Sequence, residues 1–217
     1  MAWTLLLAAG QGNRLASATG GLAKQFLDWK GAPLYWESAL VFSRCARVGG
    51  LVFVFPEACI DEERERVAGL MRNASLGIPW KVVAGGALRQ DSVRNGLSAL
   101  PDACMEVLIH DAARPFVSPV LVNRILDGLH GEASGECVAA CIPGIPVVDT
   151  IKVMDEEKKV VATPDRKHLM AVQTPQGFSL AFLRAAHQRP ATETTDCCHI
   201  TETHYLIITS AFSIIPG

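Results

Sequence analysis

The sequence lacks the features that mark several classes of protein. No apolar run approaches the roughly 20 residues that cross a bilayer, so we expect no membrane span. The formal net charge is only -2, so we expect neither nucleic acid nor an anionic membrane as a partner. There is no Gly-Lys-Ser/Thr tripeptide and no C-x-x-C pair, which argues against a Walker A loop and against the usual zinc motifs.

Two further absences concern the environment of the chain. Seven cysteines are an odd number with no disulfide-scaffold spacing, and most lie in apolar stretches, so we expect buried, reduced thiols. The adjacent Cys197 and Cys198 beside His199 stay unassigned. The start "MAWTLLLAAG" is similar to a signal peptide, but it has no basic residue and a very short apolar core. We therefore expect a cytoplasmic protein.

Short apolar runs alternate with amphipathic helical patterns. The predicted strands are Leu5–Ala8, Leu51–Phe55, Trp80–Val83, Glu106–His110 and Cys137–Ile142. The predicted helices are one that begins at Pro33, then Asp61–Arg72, Arg89–Leu100 and one that begins at the Ser118-Pro119 pair. This alternation predicts a doubly wound, mostly parallel α/β sheet, in which ligands bind at the carboxyl ends of the strands.

The alternation of predicted strands and helices stops after Pro146. Two extended segments, Val147–Met154 and Val160–Thr163, flank a charged turn and predict a protruding β-arm over about residues 146–167. A two-stranded ribbon alone is marginal in water, so we expect it to pack on something else, with a second subunit as the natural candidate.

The first predicted strand runs into "LLLAAGQGNRLASATGGLAKQF", which carries Arg14 and Lys24 and no acidic residue. Backbone amides near Gly10 and Gly12 could bind phosphate. A dinucleotide-binding loop is disfavoured because Leu15 stands where a third small residue is needed. A flexible turn with unrelated charges stays possible. The two cations favour a shared anion, such as a triphosphate.

Five motifs, in order, carry a resemblance to a known family. They are "LAAGQGNR" with "AKQF", "GGALRQDSVRNGL", "IHDAARPFV", "DTIK" and "DRKHLMAVQTPQGF". Together they resemble the 2-C-methyl-D-erythritol 4-phosphate cytidylyltransferases of the non-mevalonate isoprenoid pathway, over Leu5 to about Asp196. The resemblance implies a Rossmann-like nucleotidyltransferase that occupies residues 1–217 as one domain.

Such an enzyme joins CTP to a polyol phosphate and releases pyrophosphate. The attacking phosphate is largely ionised at neutral pH, so no general base is needed. By resemblance, Arg14 and Lys24 stabilise the transition state, joined by Arg166 as a third catalytic residue. Ala23 replaces the proline that usually precedes this lysine. The resemblance assigns CTP binding to Ala8, Ala9, Gly10, Gly12, Gly85, Gly86, Ser92, Thr174 and Gln176.

The remaining assignments concern the metal and the acceptor. Asp111 is expected to hold Mg²⁺, although a capping role for this acid is the alternative. By the same resemblance, the acceptor is bound by Asp111, Arg114, Asp149, Thr150, Arg166 and Thr195. Thr150 and Arg166 would serve the partner's site in a homodimer. From the residues alone, Ser92 could equally be a helix-start hydroxyl, and His110 is expected to be a packed neighbour.

The resemblance fails after Asp196. The family has a phosphate-binding lysine there, whereas this chain has no lysine after Lys167. Residues 197–217 instead predict an exposed, β-prone tail, which suggests a truncated or altered C-terminus. Two alternatives therefore stay open: a ribitol-5-phosphate cytidylyltransferase, or a weakly active CTP-binding protein. An NAD-linked oxidoreductase is disfavoured by the missing glycine and acid. A fused second domain is an open question.

Overall fold

The computed structural model describes residues 1–10, 22–131 and 138–188, and the backbone of residues 205–209. Its strands are β1 (Ala2–Leu7), β2 (Asp28–Trp29), β3 (Ala32–Pro33), β4 (Val48–Phe55), β5 (Trp80–Ala84), β6 (Glu106–Asp111), β7 (Ala140–Pro146), β8 (Val153–Met154), β9 (Val160–Ala162), β10 (Met170–Val172), β11 (Gln176–Ser179) and β12 (Tyr205–Thr209). The α-helices are α1 (Leu34–Ser43), α2 (Ile60–Asn73), α3 (Arg89–Ser98), α4 (Pro119–Leu129) and α5 (Leu180–His187).

One large sheet forms the centre of the molecule. Its strand order is β10-β7-β11-β6-β1-β4-β5, and β12 also pairs with β7. The pairs β1–β4, β1–β6, β4–β5 and β7–β12 are parallel, whereas β10 and β11 run antiparallel to their neighbours. The prediction of a mostly parallel α/β sheet is confirmed. Because the chain winds from β1 toward β5 and then returns to place β6 on the other side of β1, a topological switch point lies between β1 and β6.

The apolar runs of the sequence become strands that are covered on both faces. Leu5 packs with Val93 of α3 and Phe178 of β11, while its neighbour Leu6 packs on the opposite face with Tyr35 and Phe42 of α1. Consecutive side chains of a strand point to opposite faces, so two covered faces require an uninterrupted apolar run. This explains why strands were recognisable without an alternating pattern.

The helices agree with prediction to within two residues at the predicted ends. The α4 helix begins as expected, because the Ser118 side chain accepts a hydrogen bond from the Leu121 N–H at 3.2 Å and Pro119 follows it. The strand predicted over Cys137–Ile142 is displaced: β7 spans Ala140–Pro146, and Cys137 lies outside the described residues.

The predicted β-arm is present in shortened form. The strands β8 and β9 pair antiparallel with each other and with no other strand in the described part of the chain. Their turn is closed by Asp155, whose side chain accepts from the Lys159 N–H at 2.8 Å. Apolar side chains of this arm are exposed, namely Val148, Ile151, Val153, Met154, Val160 and Val161.

The C-terminal tail contributes a strand, as its β-branched composition predicts. The β12 backbone pairs with β7 in parallel, from Tyr205 opposite Ala140 to Thr209 opposite Gly144. This part of the tail therefore belongs to the main sheet and is not a separate surface segment. The rest of the predicted tail lies outside the described residues.

The cysteine environments agree with the prediction where the structure describes them. Cys45, Cys104 and Cys141 are buried free thiols, and burial raises the pKa of Cys141 to about 11. Cys59 is half-buried. None of the helices in the described ranges is long and apolar enough to cross a membrane.

Candidate active site

The predicted site residues gather at the carboxyl edge of the parallel strands. Residues 8–10 follow β1, Gly85 and Gly86 follow β5, and Asp111 ends β6. Thr174 and Gln176 lie at the entry to β11, which pairs with β6. Since β1, β5 and β6 run in the same direction, their following loops meet at one edge, beside the switch point.

Residues 8–10 form the beginning of the predicted phosphate loop. The Ala8 N–H donates to the Val54 carbonyl at 2.8 Å, so the loop leaves the sheet only after Ala8. Ala8 is buried, Ala9 is half-buried and Gly10 is exposed. Gly12 and Arg14 lie outside the described residues, so the structure describes only the first part of this loop.

A short 3₁₀ helix, Lys24–Phe26, lies against this loop. Lys24 is exposed, whereas Gln25 is only 4% exposed. The Gln25 Nε2 donates to the Ala8 carbonyl at 2.7 Å and to the Gly10 carbonyl at 2.8 Å. Sequence reasoning quoted this glutamine within "AKQF" and gave it no role, because nothing in the sequence shows which distant carbonyls it reaches.

The loop after β5 is in direct contact with the loop after β1. A Cβ placed on Gly85 would lie 2.4 Å from the Ala9 Cβ, and one on Gly86 would lie 2.3 Å from the Asp91 Cβ. Real Cβ atoms do not approach so closely, so both positions require glycine. The absence of a side chain at Gly85 lets the β1 and β5 loops meet, and its absence at Gly86 lets the β5 loop lie against the start of α3.

Ser92 supports this loop from within α3. Its buried hydroxyl accepts from the Gly86 N–H at 3.1 Å and donates to the Leu88 carbonyl at 3.3 Å. The Asp91 carboxylate accepts from the Leu88 N–H at 3.2 Å, which satisfies a donor at the start of the helix. Ser92 thus holds the β5 loop against the start of α3, and a contact between its hydroxyl and a nucleotide stays a prediction.

Asp111 is held between two arginines. The Arg89 Nη2 lies 3.1 Å from Asp111 Oδ1, and the Arg114 Nε lies 3.5 Å from Asp111 Oδ2. Arg114 also donates to the Gln173 side chain. Sequence reasoning missed Arg89, although it lies within the quoted "GGALRQDSV" motif, because the pair joins the ends of β5 and β6 through the start of α3.

The buried His110 links the Arg114 carbonyl to the Thr174 hydroxyl. Its Nε2 lies 2.9 Å from the Arg114 carbonyl, which can only accept, so this nitrogen carries the proton. Its Nδ1 then accepts from the Thr174 hydroxyl at 3.1 Å, and that hydroxyl accepts from the Asp111 N–H at 3.3 Å. Burial lowers the pKa of His110 to about 4, so the ring is neutral at neutral pH. The prediction that His110 is a packed neighbour is confirmed.

Gln176 lies below this network, at 2% exposure. Its Oε1 is buried and has no hydrogen-bond partner among the described residues. The prediction that Gln176 and Thr174 face a cytidine stays untested.

The arm residues are separate from this cluster. Asp149, Thr150 and Arg166 are exposed, and the Arg166 guanidinium donates to the Val148 carbonyl at 2.6 Å within its own arm. In the described ranges, no hydrogen bond or ion pair joins these three residues to Asp111. Thr195 lies outside the described residues.

The side chains available near Asp111 limit the way in which a metal ion could be bound. Within the described ranges, no cluster of three or more His, Cys, Asp or Glu side chains could hold a metal ion. Mg²⁺ is commonly held by one or two carboxylates together with substrate phosphates. One carboxylate therefore fits a Mg²⁺ ion that arrives with a polyphosphate, and does not fit an ion held by protein ligands alone.

A separate cavity of about 400 Å³ lies behind the Lys24–Phe26 turn. It is bounded by Phe26, Pro33 and the second half of α2, including Arg66 and Leu70. None of the predicted site residues lines it, so this cavity is distinct from the edge described above.

The sheet and the switch-point edge define an α/β protein with a nucleotidyltransferase-like fold. The structure superposes on 4-diphosphocytidyl-2C-methyl-D-erythritol synthase from Anaerococcus prevotii with a TM-score of 0.78 at 22% identity, covering 96% of this chain and 86% of that one. It superposes on 2-C-methyl-D-erythritol 4-phosphate cytidylyltransferase from Thermus thermophilus with a TM-score of 0.68 at 29% identity, covering 100% of this chain and 94% of that one.

The chain belongs to the 2-C-methyl-D-erythritol 4-phosphate cytidylyltransferase (IspD) family, whose sequence model matches residues 2–208. It is 53% identical over 189 residues to the bifunctional enzyme IspD/IspF of Oleidesulfovibrio alaskensis, covering 87% of this chain and 46% of that relative. It is 34% identical over 184 residues to 2-C-methyl-D-erythritol 4-phosphate cytidylyltransferase of Alkaliphilus metalliredigens, covering 85% and 71%. The chain spans about half the length of its bifunctional relatives.

Proposed function

We propose that this chain transfers a cytidylyl group from CTP to 2-C-methyl-D-erythritol 4-phosphate. A phosphate oxygen of the acceptor attacks the α-phosphorus of CTP and forms a new P–O–P linkage. The bond between the α-phosphorus and the bridging oxygen breaks, and pyrophosphate leaves with the electron pair. The single observation that carries the proposal is the meeting of the β1 loop, the Lys24 turn and the β5 loop at one edge.

This chemistry suits the groups that the described site contains. The second pKa of a phosphate monoester is about 6, so the nucleophile is ionised without a general base. The neutral, buried His110 is not placed to act as one. What the reaction needs is neutralisation of negative charge, and Lys24, together with Arg14, would supply it.

The nucleotide would lie across the β1 and β5 loops. We assign the triphosphate to the loop that contains Ala8, Ala9, Gly10 and Gly12, with the last three as amide donors, because the Ala8 N–H already donates to the Val54 carbonyl. We assign the cytidine to Gly85, Gly86, Ser92, Thr174 and Gln176. The two required glycines support this assignment, since they bring the β5 loop into contact with the β1 loop and with the start of α3. Asp111 would hold Mg²⁺ together with phosphate oxygens, and the ion would add further charge neutralisation.

The acceptor would lie beside β6 and the arm. Asp111 and Arg114 are proposed to contact the methylerythritol moiety, with Thr195 nearby. Asp149, Thr150 and Arg166 would bind the acceptor phosphate. Thr150 and Arg166 would do so in the partner's site, where Arg166 would act as a catalytic cation. The exposed apolar side chains of the arm support a homodimer, since surfaces of this kind are usually covered by a partner. We also propose that residues 1–217 form one domain of a cytoplasmic enzyme.

A pyrophosphate-release assay tests the proposal. The full chain is supplied with CTP and Mg²⁺, and with either 2-C-methyl-D-erythritol 4-phosphate or ribitol 5-phosphate. We expect faster release with the methylerythritol acceptor, in agreement with the family. Faster release with ribitol 5-phosphate would replace the proposed acceptor. CTP binding without release in either case would indicate the weakly active binding protein instead.

A matched pair of variants tests the role of Lys24. We expect Lys24→Gln to reduce kcat at least tenfold, whereas Lys30→Gln should leave it unchanged. Lys30 is also exposed, and it lies in the nearby β2–β3 turn with a φ of 56°. Glutamine and lysine adopt that backbone region at similar cost, so the control removes a charge without adding strain. Equal effects of the two substitutions would refute a specific role for Lys24.

A further inference from the structure

Gln25 makes an unusual pair of hydrogen bonds for a residue in a surface turn. Its buried side chain reaches the carbonyls of Ala8 and Gly10, which lie 17 and 15 residues earlier in the chain. Both acceptors are carbonyl oxygens, so only the amide nitrogen can face them, and both of its hydrogens are used. The orientation of this amide is therefore fixed by its partners.

These two bonds also determine where the intervening backbone points. In a planar trans peptide, the carbonyl oxygen and the following N–H lie on opposite sides. Because the Ala8 carbonyl faces Gln25, the Ala9 N–H faces away from it. In the described part of the chain this N–H has no hydrogen-bond partner. Gln25 thus turns two carbonyl oxygens away from the outer side of the loop, where they would repel an anion, and leaves a donor there.

The same residue connects the loop to the exposed cation. Lys24 precedes Gln25 in the 3₁₀ helix, which is closed by the Phe26 N–H donating to the Ala23 carbonyl at 2.9 Å. Fixing Gln25 against residues 8–10 therefore fixes the backbone from which the Lys24 side chain extends. The loop amides and the ammonium group become parts of one unit.

We infer that Gln25 is a positioning residue for polyphosphate binding: it fixes the backbone of residues 8–10 so that the Ala9 amide faces outward, and it places Lys24 beside this loop. This inference rests on the proposed function only in taking CTP as the ligand. Gln25 touches neither the nucleotide nor the acceptor, and it acts through the loop. Its loss should therefore weaken binding of the phosphates and leave recognition of the nucleoside intact.

The test compares CTP with cytidine as ligands of the full chain, using calorimetry. Gln25→Met is nearly isosteric and has no donor. Losing two hydrogen bonds should weaken CTP binding roughly tenfold or more, while the cytidine affinity should change less than twofold. Gln188→Met, at an exposed glutamine of the C-terminal end of α5, is the matched control and should change neither affinity.

A second variant gives a readout that a purely structural role would not produce. In Gln25→Glu, an ionised carboxylate would repel both carbonyls, whereas the protonated acid can donate one hydrogen bond. Burial raises the pKa of a carboxyl, so this acid should protonate within the accessible range. The ratio of variant to wild-type Kd for CTP should therefore fall as the pH decreases from 8 to 5.5. The same ratio for Gln25→Met should stay constant.

The outcomes separate the inference from the proposed function. Equal losses of CTP and cytidine affinity, or unchanged CTP affinity in a folded Gln25→Met, would overturn the inference. A ratio of Gln25→Glu to wild-type Kd for CTP that does not depend on pH would also overturn the inference. This measurement tests the inference even if the methionine variant fails to fold. Wild-type protein that binds CTP but never releases pyrophosphate would overturn the proposed function and leave the inference standing.

Discussion

The Arg89 guanidinium lies 3.1 Å from the Asp111 carboxylate and joins the start of α3 to the end of β6. The side chains are 24% and 33% exposed, so solvent weakens the attraction between them. The pair contributes little to stability by itself. Its importance is geometric, because it aligns a carboxylate at the switch point of the sheet.

We expect Arg89→Gln to lower the free energy of unfolding by less than about 1 kcal/mol. The same substitution should raise the KM for the acceptor severalfold, because Asp111 loses one of the two arginines that orient it. Urea unfolding and steady-state kinetics measure the two effects. Arg94→Gln is the control, since it removes a salt bridge to Asp91 on the same helix without touching Asp111. A large loss of stability with unchanged KM would contradict this prediction.

Gly85→Ala should disrupt the contact between the β1 and β5 loops. The added Cβ would lie 2.4 Å from the Ala9 Cβ, so backbone must move, at a cost of about 1–3 kcal/mol. We expect lower stability and weaker CTP binding, measured by chemical unfolding and calorimetry.

Gly69→Ala is the matched control for that substitution. A Cβ there would meet only the Arg72 side chain, at 3.5 Å, and Gly69 lies inside α2. Alanine should stabilise this helix by up to about 1 kcal/mol. Identical behaviour of the two variants would show that the Gly85 contact is not required.

His187 should make stability depend on pH. Burial and the nearby Arg94 lower its pKa to about 4, while Asp91 opposes the shift. Because the unfolded chain binds a proton near pH 6.5 and the folded chain does not, the free energy of unfolding decreases as the pH falls from about 6.5 to 4. At pH 5 this residue alone should have lowered the free energy of unfolding by about 2 kcal/mol.

The substitution His187→Leu isolates this effect. The decrease in unfolding free energy between pH 7 and pH 5 should become smaller by about 2 kcal/mol. The similarly buried His110 keeps its own contribution, in the same direction. His168→Gln, at an exposed histidine, is the control for the removal of a histidine side chain. An unaltered pH dependence in His187→Leu would contradict the prediction.

The arm offers a test of self-association. Val161 is 59% exposed, and a charge there would have to be buried if a second subunit covers the arm. We expect Val161→Asp to shift the protein from dimer to monomer in light scattering. Glu156→Gln, in the exposed arm turn, should not change the mass. A wild-type monomer would remove the partner role proposed for Thr150 and Arg166.

Much of the architecture follows from local pattern. Uninterrupted apolar runs indicated doubly covered strands, and Ser118 with Pro119 marked the start of α4. The bounds of β7 were harder to place, because the apolar run begins before Ala140 and the extent of the strand is set by its pairing with β10, β11 and β12.

The order of segments and the presence of basic residues around the first loop were determined by the sequence itself, because periodicity and motif spacing act between near neighbours. Only the tertiary structure decided that Gln25 binds the Ala8 and Gly10 carbonyls, that Arg89 pairs with Asp111, and that His110 is neutral. Those relationships depend on which strand ends the sheet order brings together and on how deeply it buries them. Neither the order of the strands in the sheet nor the depth of burial can be derived from the spacing of residues along the chain.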